Sequence, residues 1–315
     1  MDLVGKRGWF YLLSLIVIVP GIISLLIPPS LLLGIEFTGG STISVEFAAP
    51  ATEAKVGDVL AQMGHPEAQV QATGNNTYFI RTSTLREADV SQGLSSEKES
   101  IKAAFEAGVA PVTRMDVSSV SGVVAKDTVR NAAIAVVVAS IAILLYITWA
   151  FRHVPNPFRW GVAAIIALLH DVFVVVGIYS ILGKAIHLEV NTMFITGLLT
   201  VIGYSVNDTI VVFDRIRENV ARLPGERLEK VVNVSILETL GRSMNTTLTT
   251  LITVLALFML GGESIRNFVL VLLIGITSGA YSSICNASQI LVSWEMGDIG
   301  KLLRRFRRAP VSSEA

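Results

Sequence analysis

Apolar positions along this chain gather into long runs broken by short polar connections. A bilayer span needs about 20 mostly apolar residues in succession. The first run covers residues 9–27 and is interrupted only by Ser14, Pro20, Gly21 and Ser24. Lys6 and Arg7 precede it, but Pro28-Pro29 stands where a small-x-small cleavage site would follow, so it reads as an uncleaved anchor. Five further runs occupy 131–151, 160–182, 191–213, 246–260 and 268–294, the fifth of the six spans reaching back through Leu240.

Residues 28–130 have a different rhythm. The stretch 41–48 alternates, with Ile43, Val45 and Phe47 on one face, as a half-buried strand does. Val56, Val59, Leu60 and Met63 recur at helical spacing over 52–63, and Gly64 ends that helix. Two short alternating runs, 68–73 and 77–83, flank Gly74-Asn75-Asn76 and read as a hairpin. Asn75-Asn76-Thr77, formally a glycosylation acceptor, is the turn itself. Ser96-Glu97-Lys98-Glu99 has the form of a capping box and opens a helix burying Ile101, Ala104 and Phe105 and ending at Gly108. Residues 111–117 form a last strand, and 87–93 carry no clear pattern. The order is βαββαβ, the ferredoxin-like split.

The expected fold class is therefore a polytopic α-helical membrane protein of six transmembrane helices with one α+β ferredoxin-like extracytoplasmic domain. Its parts are a cytoplasmic N-terminus (1–8), a first helix (9–27), the outer domain (28–130), a five-helix bundle (131–294) and a basic cytoplasmic tail (295–315). Basic residues set the orientation. The tails and the second and fourth connections hold fifteen Lys and Arg, whereas the other two short loops hold only Lys184 and Arg266, which puts both termini in the cytoplasm. The Arg304–Arg308 cluster beside the last span is a topology anchor touching anionic lipid rather than a nucleic-acid site. Composition agrees: 52% of residues are hydrophobic and 16% charged, with zero net charge, against about 25% charged in soluble proteins. That disfavours a soluble enzyme and a basic nucleic-acid binder. The single Cys285 forms no internal disulfide.

Nothing in the outer domain is arranged for catalysis. His65 is its one histidine, and no metal-ligand spacing or nucleophile beside a base occurs. The informative residues are the charges inside the apolar runs, because an ionised carboxylate at mid-bilayer costs roughly 2.5–3.5 kcal/mol. Asp208 lies within the fourth span in Gly203-Tyr204-Ser205-Val206-Asn207-Asp208-Thr209. Ser205 and Tyr204, at i−3 and i−4, are placed to hydrogen-bond it, and Gly197 and Gly203 admit a neighbouring helix. Burial disfavours the charged form and a cation favours it, so a carboxyl between the two can load and release protons; the other reading is a permanently protonated packing residue. Arg242 follows in the fifth span, at a depth similar to Asp208 if that helix begins near Val232; it reads equally as a partner or as a snorkelling interface anchor. Thr246, Thr250 and Thr253 continue as a hydroxyl stripe. Asp171, beside His170 in the third span, fits a relay or a structural hydrogen bond, with His170 satisfied locally. Gly275-xxx-Gly279, continued by Ser282, Ser283 and Asn286, has the spacing of close helix packing.

These motifs carry a family likeness. Gly34-Ile35-Glu36-Phe37-Thr38-Gly39-Gly40, Leu169-His170-Asp171, the Gly203–Thr209 stretch with Phe213-Asp214-Arg215-Ile216-Arg217-Glu218, Thr239-Leu240-Gly241-Arg242-Ser243 with its threonines, and Gly275 to Ser283 together resemble the SecF branch of the bacterial SecD–SecF translocase accessory complexes, within the RND superfamily. The resemblance covers nearly the whole chain. It implies a non-enzymatic subunit, with protons as coupling ion and no cofactor or metal. Such a subunit pairs with SecD, associates with the SecYEG channel and uses the proton-motive force to draw secreted preproteins out on the far side. It also implies that Asp208 carries the proton and Arg242 is the membrane arginine; from their positions beside these two, Asn207, Tyr204, Ser205, Thr246 and Asp171 read as relay or packing residues. A further aspartate is expected on SecD. Two other readings are an RND-type exporter of small molecules or lipids, which would carry two such halves, and an intramembrane aspartyl protease using Asp171 and Asp208, whose Tyr-Asp and Gly-x-Gly-Asp motifs are missing.

Overall fold

The computed structural model describes residues 1–74, 76–86 and 96–297. The Asn75 turn, the 87–93 stretch and the basic cluster 304–308 lie outside the described residues. The chain divides into two units, Leu33–Ala133 and the remainder on either side of it.

Helix α1 (Arg7–Leu26) is followed by the single turn α2 (Ile35–Thr38), then β1 (Gly40–Phe47), α3 (Glu53–Gln62), β2 (Gln69–Gly74), β3 (Thr77–Thr82), α4 (Glu97–Gly108) and β4 (Val112–Val120). The four strands form one sheet in the order β2-β3-β1-β4, and every neighbouring pair is antiparallel. Ile43 sits opposite Ile80 on one side and Val117 on the other. The alternation of β1 puts Ile43, Val45 and Phe47 on the buried face, where they meet Val56 and Leu60 of α3 and Ile101 and Phe105 of α4. Phe47 packs edge-on against Phe105 and tilted against Tyr78, with centroids 5.6 Å apart in both pairs. Burying each such side chain contributes about 1.5–3 kcal/mol. Thr52 caps α3 by accepting the Lys55 amide. Ser96 makes no such bond at the start of α4, contrary to the capping-box reading. The adjacent Glu97 turns its carboxylate away to the Arg86 amide (2.8 Å) and the His65 ring (3.1 Å), which joins α4 to the turn after α3.

Helix α5 (Gly122–Ala150) leads on to α6 (Pro157–Ile186), α7 (Thr192–Arg222), α8 (Leu228–Leu260) and a last rod made of α9 (Glu263–Ser282), a π-helical turn (Ser283–Ala287) and α10 (Ser288–Glu295). With α1, these give six helices long and apolar enough to span a membrane among the described residues. α6, α7 and the last rod form the centre and bury about half or more of their apolar windows, whereas α5 buries only 6%. Close approach at the centre depends on small residues. Gly21 of α1 meets Gly177 of α6 backbone to backbone, and Gly197 of α7 lies under Val271 of α9. Gly203 touches nothing nearby, so of the two glycines expected on α7 only Gly197 serves packing. One end of the centre is closed by Phe151, Trp160 and Phe213, stacked or edge-on at 5.3–6.0 Å.

The chain leaving α1 is also fastened to this unit. Lys184 donates to Ser24 O, Ser180 donates to Ser30 O (2.5 Å), and Val190 N–H donates to Leu32 O (2.7 Å).

Candidate functional site

Two carboxylates are buried where α6, α7, α8 and the last rod converge. Asp171 is 1% exposed and Asp208 is 7% exposed. Each is met by hydroxyls rather than by a cation. Asp208 accepts from Ser243 of α8 at 2.8 Å and from Ser283, at the head of the π turn, at 2.5 Å. Asp171 accepts from Ser278 (2.6 Å) and Ser282 (2.7 Å) of α9 and Ser205 (2.6 Å) of α7, and its Oδ1 lies 3.1 Å from Nδ1 of His170.

Geometry explains why serines serve here. α7 and α9 approach closely because Gly275 lies over Val201 and Gly279 over Ser205. A Cβ on Gly279 would stand 3.1 Å from that of Ser205, so its absence is what seats Ser205 against α9 and in reach of Asp171. Ser282 and Ser283, adjacent in sequence, diverge to different carboxylates. Single π turns inside α-helices are frequent at functional sites.

The balance of terms differs between the two acids. A hydrogen bond to a charged group contributes about 1.5–3 kcal/mol, and an ionised carboxylate at mid-bilayer costs roughly 2.5–3.5 kcal/mol. Two hydroxyls on Asp208 contribute about 3–6 kcal/mol, which offsets the cost of its charge. Four partners on Asp171 exceed it.

Several expected contacts are replaced. Ser205 bonds Asp171, not Asp208, and the Tyr204 hydroxyl donates to Thr250 at 3.3 Å. Asn207 is exposed on the far side of α7. Arg242 does not pair with Asp208: it is exposed, because the next residue, Ser243, occupies the inward face and a helix turns about 100° per residue. Thr246 is likewise exposed and bonds the Arg242 and Ser243 carbonyls of its own helix. Arg242, Thr246, Thr249 and Thr253 thus mark a polar outer face on α8. The serine shell was visible in sequence only as a stripe of small residues. Among the described residues no group of three His, Cys, Asp or Glu is arranged to hold a metal.

A family model described as "Protein export membrane protein SecD/SecF, C-terminal" matches residues 100–297. The chain is 47% identical to a protein translocase subunit SecF of Thermobaculum terrenum, over 97% of both chains. It is 36% identical to a protein translocase subunit SecDF of Bacillus subtilis, over 95% of this chain and 39% of that protein. A crystal structure of SecDF, a translocon-associated membrane protein from Thermus thermophilus, superposes with a TM-score of 0.78 at 31% identity, covering 94% of this chain and 39% of that one.

Proposed function

The chain belongs to the SecD/SecF family of protein export membrane proteins, on its SecF branch, and on that premise we propose that protonation of Asp208 couples the proton-motive force to late steps of preprotein translocation. The chain is an accessory subunit of Sec protein translocation and spans the inner membrane several times. The observation that supports the coupling is the bonding of Asp208: one buried carboxyl ties α7 to α8 through Ser243 and to the last rod through Ser283. A carboxylate accepts both hydroxyls. A protonated carboxyl keeps a donor of its own and weakens one of those ties. Neutralising the group therefore alters how three helices are held, and tilting them moves the sheet domain.

The energy is of the right size. One charge crossing 100 mV yields about 2.3 kcal/mol. A pH difference of one unit adds about 1.4 kcal/mol. Such amounts shift a two-state element substantially.

In this reading SecD is the partner, as the fused SecDF relatives suggest, and the outer face of α8 carrying Arg242 meets it. Both termini lie in the cytoplasm, where the basic connections touch anionic lipid. The sheet domain lies on the far side, contacts emerging preproteins, and works beside SecYEG. The test is Asp208→Asn. The variant assembles with SecD and loses proton-dependent secretion; secretion equal to the parent at equal expression refutes the coupling.

A further inference from the structure

The two nitrogens of His170 have different surroundings. Nδ1 faces Asp171, while Nε2 is buried and makes no hydrogen bond. The ring as a whole is 9% exposed and forms part of the wall of a groove of about 480 Å3 between α1, α6 and α9. The polar groups beside it are already engaged. Ser14 is bonded to Asn286, and the Tyr281 hydroxyl donates to the Phe10 carbonyl at 2.6 Å. Asp171 is filled by three serine hydroxyls and Nδ1, so the neutral ring carries its proton on Nδ1 and leaves Nε2 as a bare acceptor. Few polar atoms are left this way in a folded interior, and each calls for a reason.

We propose that His170 and Asp171 form a second proton site, with the buried Nε2 as the atom that takes the proton, linked to Asp208. In the empty state the pair is a neutral imidazole and a carboxylate, net charge −1. One proton binds Nε2, and the pair becomes an imidazolium facing a carboxylate, net charge zero. The groups facing the ring are few. α6 supplies Asp171, α9 supplies Ser278 and the Tyr281 phenol with its ring centroid 6.0 Å away, α1 supplies Leu13, Ser14 and Val17, and α7 reaches the carboxylate through Ser205. Of these only Asp171 is a charge and only Tyr281 is a further titrating group. The link to Asp208 is one peptide bond long. Ser282 holds Asp171 and Ser283 holds Asp208, so a change at either carboxylate is felt by the same turn of helix. Only this link rests on the proton-carrying role of Asp208; the site itself does not.

The chain has four histidines, His65, His153, His170 and His187. The test is ring-nitrogen NMR of the full chain, 15N-labelled at histidine, in lipid nanodiscs between pH 5 and 9. His153→Gln and His187→Gln change exposed residues and clear the spectrum to two rings. His65→Gln, in the other unit, leaves His170 alone; should that variant not fold, Asp171→Asn identifies the same ring by moving one signal and not the other. The expected result is a full imidazole-to-imidazolium step at Nε2 of His170 within that range, with a midpoint at least tenfold lower in proton affinity in Asp171→Asn. An Nε2 signal that stays constant across the range overturns the site. In Asp208→Asn the step persists with a displaced midpoint, and an unmoved midpoint overturns the link. A chain that titrates at His170 but secretes normally as Asp208→Asn separates the two proposals, the first surviving and the coupling through Asp208 failing.

Discussion

Replacing Gly275 by alanine tests whether the approach of α9 to α7 is what assembles the carboxylate site. A Cβ at position 275 would lie 2.2, 2.5 and 2.9 Å from three side-chain atoms of Val201. Carbon atoms need about 3.5 Å, so roughly 1.3 Å of room is missing at the nearest contact. Val201 is fully buried, and a β-branched side chain in a helix has essentially one rotamer, so it cannot swing aside. The helices must part. Overpacking of this kind costs about 1–3 kcal/mol. Parting also strains the bond that joins the last rod to α7, Ser283 to Asp208 at 2.5 Å. Losing one hydrogen bond to a charged group adds about 1.5–3 kcal/mol. Gly275→Ala is therefore expected to destabilise the bundle by about 3–5 kcal/mol, the sum of the two effects at mid-range. Reversible denaturation of the purified chain in mixed micelles measures it. Val201→Ala removes the two nearest methyls and keeps the Cβ at 2.9 Å, so the double variant recovers part of the loss, a coupling of at least about 1 kcal/mol in a double-mutant cycle. Gly275→Ala within 0.5 kcal/mol of the parent, a shift typical of surface changes, refutes the reasoning.

Other outcomes follow from the sheet domain and the bundle. Glu67 is held at about 2, below its ordinary 4.5, first by its own backbone amide, then by the Ser83 hydroxyl and amide and the Thr82 hydroxyl. Glu97 is lowered too: burial opposes its charge, but the Arg86 amide and the His65 ring outweigh it. Folded values below unfolded ones mean stability that is complete above pH 4.5 and lost as pH falls from there towards about 2; amide exchange in β3 should rise over that window and flatten in Glu67→Gln. Phe105→Ala empties a fully buried position between Phe47 and α3 and should cost about 3–5 kcal/mol, read from protection of β1 amides. Gly21→Ala places a Cβ 2.8 Å from the Gly177 backbone, which cannot rotate away, and should lower the denaturation midpoint more than Gly203→Ala, which meets open space.

The six spans were legible because twenty apolar residues in a row admit few other readings. Their ends were not. α5 begins at Gly122, nine residues before the apolar run, because its first turns carry Lys126, Asp127 and Arg130 beyond the apolar segment. α8 begins at Leu228, since Val231, Val232, Ser235 and Ile236 pack against its neighbours with ordinary soluble-protein spacing. The two acids were legible from their cost alone. Their partners were not, because local spacing names residues on the same helix, whereas Asp208 draws Ser243 and Ser283 from others. The serines that hold both acids look in sequence like any small residues at a tight crossing. Arg242 shows the converse: its proximity in depth to Asp208 was readable, but which way it faces depends on the phase of α8, set by the inward Val231–Ser243 stripe.

The fastening of residues 24–32 to the end of α6 and to the connection that follows it has a mechanical consequence. Three crosslinks, at Ser24, Ser30 and Leu32, pin the strand of chain that feeds the sheet domain. Residues 24–32 therefore move with the end of α6 as one piece, stitched to it rather than lying loose against it.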